Sequence, residues 1–237
     1  MINFAILLTC LFSFSGFAQA QTFQSTNTRT HLLELYSSQG CSSCPPAERW
    51  VSKLINHPQL WQQFIPIVFH VDYWDYLGWK DPFSSKQFSM RQRNYHYQGA
   101  VSSVYTPGII LDGHEWRGWF RGKPMPDITS KAGILSATLN EGNLKVLYDS
   151  KVPLKLNVAL LGFGIETNIQ DGENAGRTFH EDFIVLNKQT IFSKNGMWNL
   201  PVQTTSHFKA QRYALVMWVN SAESLQPLQA TGDWLEN

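Results

Sequence analysis

"HLLELYSSQGCSSCPPAERWVSKLI", residues 31–55, changes its repeat halfway along. His31 to Tyr36 is a short, mostly apolar run that reads as a buried strand. After Pro46 the apolar residues fall at Ala47, Trp50, Val51, Leu54 and Ile55, one face of an amphipathic helix. Between the two runs stand Cys41 and Cys44, two residues apart and followed by Pro45 and Pro46. Proline is accepted in the first helical turn, where N–H groups have no intrahelical acceptor. The stretch predicts strand, Cys-x-x-Cys, helix. Such a pair can be a redox centre, half of a metal site or a structural staple. As a staple it stabilises weakly, because so short a loop constrains the unfolded chain little.

Working outward, "FIPIVFHV" (64–71) is a second strand, apolar enough to be buried on both faces. An aromatic-rich loop, "DYWDYLGWKDPF", follows it. Ser84 with Gln87 resembles a capping box, and Phe88, Arg91, Gln92 and Tyr95 share one face of a second helix that Gly99 ends. In "VYTPGIILDGHEWRGW" (104–119), Asp112-Gly113 between two extended runs signals a hairpin, with Pro107 opening its first strand. "MPDITSKAGILSATL" (125–139) reads as one more helix. Strand, helix, strand, helix, hairpin and helix together call for a sheet with a parallel part, an antiparallel edge and helices on its faces. From residue 143 the pattern changes: "LKVLY", "LKLNVALLG", "FIVLN" and "YALVMWV" are strand-length runs separated by turn clusters such as "DGENAGR" (171–177). They predict a second, sandwich-like β unit.

Composition narrows the function classes. Of 237 residues, 43% are hydrophobic and 16% charged, which is globular, and the net charge is +1. No basic run or acidic tail points to nucleic acid or an anionic membrane surface. "AILLTCLFSFSGFA" has the length of a signal-peptide apolar core, and "AQA" ending at Ala20 has the form of a cleavage site. Cys10 falls inside that run and is expected to be removed. No later stretch is long and apolar enough for a membrane span. The expected organisation is a signal peptide over 1–20, an α/β domain over 29–142 and a β-rich domain over 143–237. The mature chain is expected in an oxidising compartment, a bacterial periplasm or the exterior, with Cys41 and Cys44 as its cysteines.

A strand–Cys-x-x-Cys–helix unit followed by Thr-Pro at the start of a hairpin strand resembles the thioredoxin fold. More narrowly, "ELYSSQGCSSCPPAE", "FHVDYWDYLGWKDPFSS", "RQRNY", "SVYTPGIILDG" and "GENAGR" are similar to the motifs of the exported, thioredoxin-like domain-of-unknown-function 1223 family. The resemblance implies a thioredoxin-like domain, a mixed sheet flanked by helices, with an additional C-terminal β-sandwich-like unit. It also implies export and a cis Thr106–Pro107 bond lying against the cysteines. It implies no reaction.

The chemistry follows from the residues. In thiol–disulfide exchange the thiolate attacks. Cys41, ahead of the helix, is the expected nucleophile and Cys44 the resolving thiol. Thr106 and Pro107 shape a docking groove, and Glu34 reads either as a proton relay with its pKa raised by burial or as a paired buried acid. Pro45 disfavours helical geometry at Cys44. The expected partner is a protein or small-molecule thiol or disulfide. The sequence carries no nucleotide or flavin motif, no cofactor is expected, and nothing sets an oligomeric state. An alternative reading is a copper- or zinc-handling protein using Cys41, Cys44 and His70, since two thiolates and an imidazole suit those metals. A third is a non-catalytic binding module that uses the aromatic loop of Asp72, Tyr73, Trp74, Asp75 and Trp79 as lid or plug. Arg91 and Arg93 read as anion binders or surface ion-pair partners, and Arg177 as a group turned toward the first domain.

Overall fold

The structure, a computed structural model, describes residues 20–236. The proposed signal sequence, Cys10 included, lies outside the described residues except for its last residue, Ala20. Among the described residues, fourteen strands and two α-helices make a mixed α/β molecule dominated by sheets. The chain opens with β1 (Gln21–Gln24) and β2 (His31–Ser37), then α1 (Pro45–Ser52), β3 (Phe64–His70) and α2 (Lys86–Tyr97). The hairpin of β4 (Gly108–Leu111) and β5 (His114–Glu115) follows, then that of β6 (Leu135–Asn140) and β7 (Asn143–Tyr148). The remainder is β8 (Leu154–Phe163), β9 (Ile165–Asn168), β10 (Thr178–Glu181), β11 (Ile184–Ser193), β12 (Met197–Pro201), β13 (Arg212–Ser221) and β14 (Pro227–Trp234).

The main sheet has eight strands in the order β14-β13-β8-β11-β3-β2-β4-β5. β2, β3 and β11 run parallel, and the flanking strands are antiparallel. Every residue of β2 and β3 is buried, as parallel central strands covered on both faces require. A second sheet, β1-β6-β7-β12, is antiparallel throughout. It packs Phe23, Leu135, Leu144, Val146 and Trp198 against Leu154, Leu156, Val158, Leu215 and Met217 of β8 and β13. Alternate residues of the same two strands, Ala159, Leu161, Val216 and Trp218, point into the larger core with β2, β3 and the helices. The two-residue side-chain period of a strand thus serves both cores at once.

The boundary drawn at residue 142 falls inside the β6–β7 hairpin. Glu141 and Gly142 form its turn with φ of 48° and 75°, and Asn140 pairs with Asn143. The main sheet takes strands from both sides of that point, joined where Ile184 of β11 pairs with Val68 of β3. The helix expected over 125–139 does not form: Leu135–Asn140 is strand β6, and the residues before it are irregular apart from an isolated bridge at Lys131. Leu135, Ala137 and Leu139 are buried while Ser136, Thr138 and Asn140 are less so, a period of two that decides the element. The Asp112-Gly113 hairpin forms as the sequence predicts, with φ of 50° and 85°. The cap of α2 is Ser85, which accepts from the Gln87 N–H, rather than Ser84.

One buried side chain ties the two ends of the chain together. Gln229 of β14 donates through Nε2 to the carbonyls of Thr26, Thr28 and Gly133, at 3.1, 3.2 and 2.8 Å. Its Oε1 accepts from the Thr30 N–H at 2.9 Å, just ahead of β2.

Candidate functional site

Cys41 and Cys44 are joined by a disulfide in the turn between β2 and α1. Cys41 N–H donates to Ser38 O, and Cys44 N–H to Cys41 O, so the loop is already wound when the helix begins. Cys44 takes αR geometry (φ −77°, ψ −35°) despite the following proline, and α1 starts at Pro45. Cys41 therefore stands one turn ahead of the helix rather than at its cap. The Thr106–Pro107 bond is cis, and Thr106 Oγ1 donates to Cys41 Sγ at 3.2 Å. Ser43 Oγ lies 3.4 Å from the same sulfur. The structure thus brings Cys41, Cys44, Thr106 and Pro107 together.

This disulfide is covered. Cys41 is only 2% exposed and Cys44 is fully buried. Trp74 Nε1 donates to Thr106 Oγ1 at 2.7 Å, and the Trp74 backbone and Cβ pass close to Gly40, where an added Cβ would lie 3.2 Å from Trp74 Cβ. Tyr73 holds the far side, its hydroxyl donating to Gln92 Oε1, while Gln92 Nε2 donates to Tyr105 O at 2.6 Å. Burial pushes the Tyr73 hydroxyl up to about 12. The 171–177 turn closes the other edge: Ser42 N–H donates to Glu173, and Asn174 Nδ2 to Gln39 O at 2.8 Å. Trp79 Nε1 donates to Gln39 Oε1, and Gly172 fits against Leu77 and Trp79. Trp74 and Trp79 thus anchor the aromatic loop to Thr106 and Gln39, beside the disulfide. Arg177 binds Asn174 at 2.8 Å, so the turn docks through Glu173 and Asn174.

Glu34 is not brought to the cysteines, contrary to the expectation that it relays protons. In β2 it points to the face covered by α2, where Arg91 donates to it twice, at 2.8 and 2.7 Å. Tyr36 and Tyr95 add their hydroxyls at 2.7 and 2.6 Å. Side chains alternate along a strand, so Ser37, three positions on, faces α1. There it donates to Glu48, one helical turn beyond Cys44. Arg91 is thus a core ion-pair partner, and Arg93 lies over the Tyr73 ring at 6.0 Å.

The carboxyl group behind the disulfide is Glu48, and it belongs to a buried cluster. Donor atoms of Glu48, His70 and Glu181 all lie within 4.8 Å of one another. His70 Nδ1 is 2.6 Å from Asp81, which also accepts from Gln39 N–H, and His70 Nε2 is 3.7 Å from Glu181. Burial opposes charge on His70, but Asp81, then Glu181 and Glu48, outweigh it and push its pKa up to about 9. Burial raises Glu181 to about 8 against the pull of His70, and raises Glu48 as well. His70 joins carboxylates, not the cysteines, so the Cys41–Cys44–His70 metal set is not assembled, and a disulfide offers no thiolate. Sequence reading missed Glu48, Asp81 and Glu181. Two of them sit inside quoted stretches, "PPAE" and "WKDPF", but a lone acid in sequence carries no mark of its burial.

Next to Thr106, Tyr105 donates to Glu115 at 2.6 Å, and Arg117 and Ser102 add further hydrogen bonds. Burial pushes Glu115 up, yet these bonds prevail and hold it down at about 2. A carboxylate lowered from its usual value near ~4.3 contributes stability that is present above that pH. The contribution is lost as pH falls toward 2. The difference in melting temperature between the native chain and Glu115→Gln, clear at pH 6, is therefore expected to shrink to nothing in strong acid. Solvent around the exposed Arg117 keeps the difference small. A gap that persists unchanged to the lowest pH contradicts this.

The family described as "Protein of unknown function (DUF1223)" matches residues 32–220. A protein of Agrobacterium tumefaciens solved by X-ray crystallography superposes with a TM-score of 0.60 at 20% identity, covering 89% of this chain and 95% of that one. A structure titled "HBP35 of Porphyromonas gingivalis" does so with a TM-score of 0.54 at 13% identity, covering 89% of this chain and 76% of that one. At such identities the likeness is one of fold. No curated protein matches the chain.

Proposed function

The chain belongs to the DUF1223 family, whose description assigns no activity, and we propose that it is an exported thiol–disulfide oxidoreductase built on a thioredoxin-like unit. The observation that carries the reading is the hydrogen bond from Thr106, across a cis Thr106–Pro107 bond, to the sulfur of Cys41. Support for the unit comes from the run β5-β4-β2-β3, with α1 and α2 as its connections and the cysteines between β2 and α1. The apolar N-terminus and the disulfide support export.

In the reducing direction, the Cys41 thiolate attacks one sulfur of a substrate disulfide and the first substrate thiol leaves. Cys44 then attacks the Cys41 sulfur, and the second substrate thiol leaves. The substrate gains two electrons and two protons, and Cys41–Cys44 becomes the disulfide. A dithiol protein, or two small thiols in succession, then reduces Cys41–Cys44 through a mixed disulfide and is itself left as a disulfide. Because Cys41 is 2% exposed, exchange requires Trp74 to withdraw from Thr106.

The test is reduction of insulin by dithiothreitol with and without the protein. The native chain is expected to accelerate it, and Cys41→Ser to abolish the acceleration. A native chain that leaves the uncatalysed rate unchanged, with a pair potential below about −300 mV, makes this a structural bond and ends the proposal.

A further inference from the structure

We propose that Glu48, His70 and Glu181 bind one divalent first-row transition-metal ion in the core behind the disulfide. The inference is independent of the redox reading, since it uses neither cysteine.

Three observations carry it. First, each of the three side chains is held by a second group that leaves another atom free. Asp81 takes His70 Nδ1 at 2.6 Å, Ser37 donates to Glu48 Oε1, and Gln39 Nε2 donates to Glu181 Oε2 at 2.7 Å. An outer carboxylate on the far nitrogen of an imidazole is the arrangement that fixes the tautomer and orientation of metal-binding histidines. Second, the atoms left free face one another without partners. His70 Nε2 and Glu181 Oε1 are buried and make no hydrogen bond, and both residues are 99% buried. Buried polar atoms are otherwise almost always paired, and each orphan costs about 1–3 kcal/mol. Third, the cluster gathers three carboxyl groups around one imidazole where no solvent reaches them.

A dipositive ion answers all three features. Ligand atoms about 2.0–2.2 Å from a zinc ion lie up to roughly 4 Å apart. The present spread within 4.8 Å therefore closes with small side-chain rotations. One imidazole with two carboxylates selects zinc, manganese or iron(II) over calcium or magnesium, which take oxygen ligands in greater number.

The experiment titrates Zn(II) into the full chain, stripped with EDTA and kept oxidised so that no thiolate competes. Calorimetry and thermal unfolding are the readouts, with Mn(II) as a second probe. One equivalent is expected to bind and to raise the melting temperature. Asp81→Asn, which leaves the three ligands in place, is expected to weaken binding about 10–100-fold. Glu181→Gln is expected to abolish it, while the amide keeps the shape of the carboxyl group and an oxygen that accepts from Gln39, so that variant should fold. The proposal is overturned if neither ion binds. It is also overturned if Zn(II) binding is unchanged in both variants, which would place the ion on surface histidines. Insulin reduction fails or succeeds separately, so each outcome is assigned to one reading.

Discussion

Arg91→Ala is expected to lower the unfolding free energy by about 3–5 kcal/mol, the usual cost of leaving one partner of a buried ion pair behind. Glu34 is fully buried, and Arg91 supplies two of its four hydrogen bonds and the positive charge of its salt bridge. The guanidinium also lies 5.8, 5.2 and 5.3 Å from the ring centres of Phe69, Tyr95 and Trp218, so the truncation removes packing and cation–π attraction as well. Replacing both partners together, Glu34→Leu with Arg91→Met, is expected to recover most of the loss, because no charge is then stranded. Urea denaturation of the two variants decides the matter. A loss under about 1 kcal/mol for Arg91→Ala would mean that the pair is relaxed or hydrated. The double variant also separates the two roles considered for Glu34. A positioning role in the core leaves insulin reduction intact, whereas a proton relay would lose it.

Trp74→Ala is expected to speed reduction of the Cys41–Cys44 bond by dithiothreitol about tenfold or more. In the folded chain a reagent reaches Cys41 only through the open fraction of the lid, and the rate follows that fraction. Trp74 contributes one hydrogen bond to Thr106, worth about 1 kcal/mol, besides the packing of its ring against Tyr73, 6.0 Å between ring centres. A factor of ten corresponds to about 1.4 kcal/mol, which the lost bond and packing together reach. Phenylalanine at 74 keeps the ring and loses the bond, and should fall between the two. Stopped-flow reduction at equal protein stability measures it. An unchanged rate in Trp74→Ala would show that the 171–177 turn, not the tryptophan, controls access.

The parts of this molecule that the sequence revealed are those whose signal is local. The switch from strand to helix at Cys41–Pro46, the Asp112-Gly113 turn and the buried face of α2 each rest on neighbours in the chain. Residues 125–139 were harder, because apolar residues at 135, 137 and 139 sit among helix-tolerant ones, and only the partner strands β1 and β7 settle the period. The site divides the same way. Cys41, Cys44 and Pro107 carry their own chemistry on the page of the sequence. Glu34 and Glu48 are equally plain glutamates there, and strand parity together with helix placement decides which of them meets the cysteine helix. Glu181 stands 140 positions after Cys41, so its approach to His70 is set by the β11–β3 pairing and by nothing near it in the chain.

The Gln229 clasp has a bearing on how the chain is made. A polypeptide emerging from its amino end presents the 26–30 segment and β2 long before β14 exists. Those early carbonyls wait, hydrated, until Gln229 arrives to gather them. The eight-stranded sheet and the clasp are complete only when β14 has joined strands made far earlier, so closure of the larger core is a late event.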